Sequence, residues 1–334
     1  MSFTVLKEEK KLRPIFADGF SDQKKHRVIV LAGPTASGKT NLAISLAEII
    51  GGEIISADSM QVYKKMDIGT AKPTALQKDK IPHHLIDVVD IKDPFNVVQF
   101  CDKAYLALRG IIERQNVPIV VGGTGFYLHS FIYGPPLGPE SDPNIRSDLE
   151  EKMKVLGPEV MYERLQMIDP DYAKTITEND KHKIIRALEI ILISKTKVSD
   201  IPRSTNIVSN NYDFRCWFIH YPRKELYDRI EKRCDEMIDQ GLIEEVKKLK
   251  KIGLEENRSA SQAIGYRQCL DYLKTNQTEE DFQTFVQKFK QASRKYAKRQ
   301  FTWFKNEQIF RWLDLKKHNI EYVKEVILQD FEIN

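Results

Sequence analysis

Val28-Ile-Val-Leu-Ala-Gly33-Pro-Thr-Ala-Ser-Gly-Lys-Thr40 decides the fold class. Five apolar residues, three of them β-branched, predict a buried strand. After the glycine-rich turn, Leu42, Ile44, Leu46, Ala47, Ile49 and Ile50 follow at helical spacing. Strand, GxxxxGK[ST] loop and helix in that order form a cradle for phosphate. Its backbone N–H groups turn inward, the helix N-terminus adds positive potential, Lys39 brings a mobile charge, and the Thr40 hydroxyl can ligate magnesium. Gly33, Pro34, Thr35, Ala36, Ser37, Gly38, Lys39 and Thr40 are therefore the expected di- or triphosphate site. A chance glycine-rich turn would carry neither flank. The loop does not say which phosphate compound it holds, or whether a phosphoryl group moves.

Outward from this segment the strand signal repeats at Glu53–Ala57, Leu85–Val89, Pro118–Gly122 and Phe214–Ile219, with helical segments between. Alternation of that kind predicts an α/β fold: a P-loop NTPase-like parallel sheet flanked by helices. Between Gly138 and Asn211 the texture turns polar and helical, as in Pro143–Val155 and Lys181–Ile193, which predicts a helical insertion domain over 138–211. From Arg223 onward the chain reads as almost wholly helical. The expected organisation is a mobile tail over 1–27, a catalytic core made of 28–137 and 212–334, and the insertion.

Composition narrows the class. With 41% hydrophobic and 30% charged residues, 334 residues can bury at least one substantial core. The net charge of +4 is too small to indicate nucleic acid without local clustering. Cys101, Cys216, Cys234 and Cys269 form no CxxC pair, so neither a disulfide framework nor a zinc site is expected. No apolar stretch is long enough to span a bilayer, and the first 27 residues lack a secretory apolar region. A cytoplasmic protein without membrane association is the expectation.

Asp58 follows the second predicted strand, at the sheet edge where open parallel sheets bind ligands. On position alone such an aspartate is more often a turn former or helix cap. Gly122-Gly-Thr-Gly125 closes another strand at the same expected edge, either as a tight turn or as a second wall that brings Thr124 towards Asp58. Arg229 and Arg233 stand one helical turn apart, which suits a solvated basic stripe or an anion site. Adjacent His83 and His84 have no third ligand nearby and make a poor metal site.

Clustered charge does appear from Gln283 to Asn306: Lys288, Lys290, Arg294, Lys295, Lys298, Arg299 and Lys305, with no acid. Phe289, Tyr296, Phe301, Trp303 and Phe304 are interleaved, most of them expected to be core. Such a helix can face phosphates while its apolar stripe packs inward.

Together these elements resemble the tRNA dimethylallyltransferases. The carrying stretches are GPTASGKT at 33–40, ADSMQVYKKMDIGTAKP at 57–73, PHHLID at 82–87, VGGTGFYL at 121–128, DPNIR at 142–146, NDKHKIIRALE at 179–189, RIEKR at 229–233, AIGYRQ at 263–268 and RKYAKRQFTWF at 294–304. The resemblance implies transfer of a dimethylallyl group from its diphosphate to N6 of the adenosine 3′ to the anticodon, in tRNAs reading codons that begin with U. Diphosphate would be released, with Mg²⁺ as cofactor. It further implies catalytic roles for Lys39, Asp58, Thr124 and Arg233, and magnesium at Thr40. For the tRNA anticodon stem-loop it implies Asp58, Ser59, Met60, Gln61, Thr124, Gln262, Gly265, Tyr266, Arg267, Arg294, Lys298, Arg299 and Gln300. Arg146, Lys183 and Arg186 would contribute from the insertion and its edge. Lys183 departs from the family's arginine and so lacks a planar fork for phosphate or base. A monomer is expected. The main rival is a small-molecule or nucleotide kinase, which explains the loop and Asp58 but leaves the basic helix without work. A prenyltransferase acting on free AMP, or a non-catalytic nucleotide-sensing RNA binder, leaves other features unused.

Overall fold

A computed structural model describes residues 25–202 and 211–333 of the chain. Residues 1–24 of the expected tail and 203–210 of the expected insertion lie outside these residues. In chain order the elements are β1 (His26–Ala32), α1 (Lys39–Ile50), β2 (Gly52–Ala57), α2 (Ala75–Lys80), β3 (His83–His84), α3 (Val97–Glu113), β4 (Val117–Gly122) and α4 (Gly125–Tyr133). There follow α5 (Pro143–Ile168), α6 (Pro170–Ala173), α7 (Lys181–Ser194), β5 (Tyr212–His220), α8 (Arg223–Asp239), α9 (Leu242–Lys251), α10 (Tyr266–Tyr272), α11 (Glu279–Phe304), β6 (Arg311–Asp314) and α12 (Ile320–Glu332).

The six strands form one parallel sheet in the order β3-β2-β4-β1-β5-β6. Successive side chains on a strand point to opposite faces. Val28, Val30 and Ala32 of β1 accordingly join one apolar core with α3, α4, α8 and α11, whereas Ile29 and Leu31 join another with α1 and α12. Both faces are covered, as a parallel sheet requires.

Register places the site. Ala57 of β2 and Ala32 of β1 both pair with Gly122 of β4, so three adjacent strands end level. The phosphate loop, Asp58 and the Gly123–Gly125 turn leave the sheet side by side from those ends. Gly122 is needed there: a Cβ on it would lie 2.1 Å from the Ala57 carbonyl oxygen.

The structure corrects three expectations. Leu85–Val89 is not a strand, because Leu85 (φ 64°) and Asp87 (φ 58°) leave the extended region. The edge strand is His83–His84 instead, and Val89 makes a lone bridge to Tyr63. The C-terminal region is not all helix: Arg311–Asp314 adds a parallel edge strand beside β5. Strand β1 starts at His26, two residues inside the expected tail, because His26 and Arg27 pair with Tyr212 and Asp213.

The insertion has its own apolar interior, with Leu149, Met153, Met161 and Leu165 of α5 against Ile184, Ile185 and Leu188 of α7. Helix α5 bends at Gly157 (φ 83°), ahead of Pro158. Helix α11 begins with a capping box between Thr278 and Asp281 and buries Phe285, Phe289, Ser293, Ala297, Gln300 and Phe304 along one stripe. Phe218 of β5 meets Phe301, Phe304 and Trp312 ring to ring, which docks the end of α11 against the sheet.

Candidate active site

The phosphate loop is held by its neighbours before any ligand arrives. Gly38, at φ 85°, caps α1 without a side-chain bond, which leaves the helix N-terminal amides facing outward for an anion. Gln300, only 4% exposed, accepts from the Thr35 amide at 3.0 Å and donates to the Gly123 carbonyl at 2.9 Å. One side chain of α11 thereby clamps the loop to the neighbouring turn. Arg229 donates to the Ala36 carbonyl at 3.0 Å and lies 4.3 Å over the Tyr221 ring. Lys39 folds back on the loop, its ammonium 3.4 Å from the Pro34 carbonyl oxygen.

Asp58 forms a local turn in which Oδ1 accepts from the Met60 amide at 2.9 Å and the Gln61 amide at 3.3 Å. Both bonds fall on one oxygen, so the other is available to a substrate. Thr124 Oγ1 accepts from the Ser59 amide at 3.2 Å and so ties the two strand ends together. Gln61 accepts from Ser56 at 3.0 Å and donates to the Thr70 carbonyl at 3.1 Å. Tyr296 of α11 lies against Thr124 and Asp58, and burial, reinforced by that carboxylate, raises its phenol's pKa.

These groups surround one cavity of about 300 Å³. Its polar wall includes Lys39, Thr40, Asp58, Gln61, Arg233, Gln262, Tyr296 and Arg299; Met60, Ile230, Met237, Ile264 and Phe289 supply apolar surface. Three cations and a carboxylate therefore share the space. Burial, followed by the Arg233 charge, lowers the Lys39 pKa to about 8, with Asp58 opposing. Arg233 is also lowered by burial, again against the pull of Asp58.

Residues 61–307 match the IPP transferase family, and residues 26–88 match isopentenyl transferase. The tRNA dimethylallyltransferase of Protochlamydia amoebophila is 54% identical over 318 residues, covering 95% of this chain and 92% of its own. The chain belongs to the tRNA dimethylallyltransferase family. Its Chlamydia pneumoniae relative is 45% identical over 92% of this chain and 90% of its own. Among solved tRNA dimethylallyltransferase relatives, the full-length tRNA isopentenylpyrophosphate transferase of Bacillus halodurans superposes with a TM-score of 0.67 at 39% identity, over 92% of this chain and 97% of its own. A eukaryotic dimethylallyltransferase captured acting on tRNA gives 0.74 at 28% identity, over 92% and 79%.

Within this dimethylallyltransferase, Thr35, Lys39, Thr40, Asp58, Ser59, Met60, Gln61, Arg233, Gln262, Tyr266, Arg299 and Gln300 all line the cavity. Thr124 adjoins it through Ser59. In three residues expected to face RNA, the polar groups are held within the protein. Tyr266 is fully buried and donates to Glu245 at 2.6 Å, Gln300 is the clamp described above, and Gly265 is buried with its amide on Gln268. Tyr266 and Gln300 thus shape the cavity wall, whereas Gly265 lies behind it. Arg267 and Lys298 are exposed, whereas Arg294 pairs with Glu231. In the insertion, Arg186 bonds the fully buried Glu189 at 2.7 Å and Arg146 approaches the same carboxylate at 3.6 Å, while exposed Lys183 lies 3.7 Å from Asp180.

Sequence patterns missed Glu245, whose carboxylate accepts from the Asp67, Ile68 and Gly69 amides at 3.0, 2.8 and 3.3 Å. Tyr296 lies in the stretch from Arg294 to Phe301 that the resemblance puts along the RNA path, and its spacing from Arg299 and Gln300 puts all three on one side of α11. Arg229, left open between stripe and site, braces the loop. His84 bonds Glu53 at 2.6 Å, and His83 bonds the Ile81 carbonyl at 2.7 Å. Replacing Gln300 with Ala is expected to cost about 1–3 kcal/mol, because two backbone groups lose their partner. The drop in urea midpoint at constant slope measures it; an unchanged midpoint would show that the clamp does not hold the loop.

Proposed function

We propose that the protein transfers the dimethylallyl group of dimethylallyl diphosphate to N6 of the adenosine 3′ to the anticodon, in tRNAs that read codons beginning with U. The observation that carries this is the shared cavity: Lys39 and Arg233 face Asp58 across it, and the apolar wall beside them suits a prenyl chain. An adenine amino group is a weak nucleophile because its lone pair is delocalised into the ring. As N6 attacks the allylic carbon, its proton passes to Asp58 and the carbon–oxygen bond breaks with its electron pair on diphosphate. Lys39 and Arg233 stabilise that growing charge.

Magnesium fits the donor set, since the Thr40 hydroxyl is a hard oxygen ligand on the cavity and would hold the ion beside the diphosphate oxygens. Bound there by Thr40, it supplies further positive charge to the leaving group. To reach N6 the base leaves its stack and enters the cavity. Ser59, Met60, Gln61, Gln262 and Arg299 border its path; Arg267, Arg294 and Lys298 lie along the outer approach, with Arg146, Lys183 and Arg186 on the insertion. One chain supplies every group, so a monomer suffices. No helix among the described residues is long and apolar enough to cross a membrane, and we place the enzyme with its RNA in the cytoplasm.

Incubation with radiolabelled dimethylallyl diphosphate, Mg²⁺ and unmodified tRNA, AMP or no acceptor tests the proposal. Label is expected in tRNA alone. Label in AMP, or ATP turnover without prenyl transfer, would replace it with one of the rivals.

A further inference from the structure

Two large aromatic side chains stand in solvent beside the cavity. Trp303 is 39% and Phe126 44% exposed. Their rings meet edge to face at 6.3 Å, and Trp303 also meets His129 at 6.5 Å. Trp303 lies over Gly125, whose Cβ, if present, would be 2.3 Å from the indole. One side of the indole is thus fixed by backbone next to Thr124, Phe126 and His129 meet it ring to ring, and 39% of the side chain stays exposed.

Position and charge indicate the occupant. Tyr296, Arg299 and Trp303 fall on one face of α11. Tyr296 and Arg299 line the cavity, so Trp303 stands one turn, about 6 Å, further out. Arg299 is exposed on that same face, Lys298 and Lys305 are exposed on other sides of α11, and the nearby acid, Glu307, is paired with His129 at 2.9 Å and is 12% exposed. Exposed aromatic surface next to an exposed arginine suits an unstacked nucleobase and its phosphate. We infer that Trp303 and Phe126 form a stacking platform for an RNA base adjoining the one that enters the cavity. This rests on the RNA substrate proposed above.

The test uses an unmodified anticodon stem-loop RNA with wild type, Trp303→Ala, Trp303→Phe and Phe126→Ala. Stacking of about 1–3 kcal/mol per base corresponds to a rise in the KM for RNA of about 5- to 150-fold in Trp303→Ala. A smaller rise is expected in Phe126→Ala and substantial rescue in Trp303→Phe. The KM for dimethylallyl diphosphate and kcat should hold. RNA should also quench wild-type tryptophan fluorescence, and Trp303→Phe should abolish the quenching, because Trp217 is 4% exposed and Trp312 half-buried. An unchanged KM for RNA, quenching that persists in Trp303→Phe, or a fall in kcat alone would overturn the platform, the last by making the indole a brace for Thr124. Self-association lost in Phe126→Ala, with RNA affinity intact, would overturn it in favour of a second copy. Those outcomes leave wild-type transfer to RNA standing; a wild-type protein that neither binds nor prenylates the RNA brings down both readings.

Discussion

Replacing Asp58 with Asn is expected to slow single-turnover prenyl transfer by about 10²- to 10⁴-fold, the usual contribution of a positioned general base. The substitution is nearly isosteric, and an amide oxygen can still accept from the Met60 and Gln61 amides, so the turn that aims the side chain survives. What disappears is the proton acceptor. The KM for dimethylallyl diphosphate should therefore change little while the chemical step slows, and circular dichroism should match wild type. A rate within a few-fold of wild type would assign the proton to another group and leave Asp58 as a turn former.

Arg233→Gln is expected to cost about 10²- to 10³-fold in kcat, as for removal of one preorganised donor to a developing oxyanion. It should also change the pH profile. Lys39 titrates at about 8 in the free protein, lowered by burial and then by Arg233. Its charge is present below that pH and lost above it, so kcat/KM for dimethylallyl diphosphate should hold on the acid side of the transition and fall on the alkaline side. Without Arg233 one lowering influence is gone, the Lys39 pKa rises, and the fall moves to higher pH. Asp58→Asn removes a raising influence and should move it the other way. Profiles of the three proteins that superimpose would refute this coupling of Lys39, Asp58 and Arg233.

What could be read from the amino acids follows the range of the interactions concerned. The phosphate loop is a local motif, and its flanking strand and helix announce themselves by period. Asp58 and Thr124 were legible because, in a parallel sheet, strand ends share an edge. Short edge strands were not: Arg311–Asp314 spans four residues and acquires its identity only from pairing with β5. Partnerships across long separations were equally hidden. Gln300 reads as one more polar residue on a basic helix until its amide is seen between Thr35 and Gly123. Tyr266 belongs to a stretch that resembles an RNA-facing motif, yet its ring is buried and its hydroxyl held by Glu245. Glu189 looked like part of a polar helix, but receives Arg186, Ser141 and the Asp142 amide in a buried site at the base of the insertion.

The tight approach of β2 and β4 at Gly122 has a consequence for how this catalyst tolerates change. Even a single methyl at that position would act as a wedge, prising apart the two ends from which Asp58 and Thr124 depart. The spacing of Asp58 and Thr124 is thus gauged by an atom that is missing, and an inconspicuous glycine in the cavity wall becomes hard to replace.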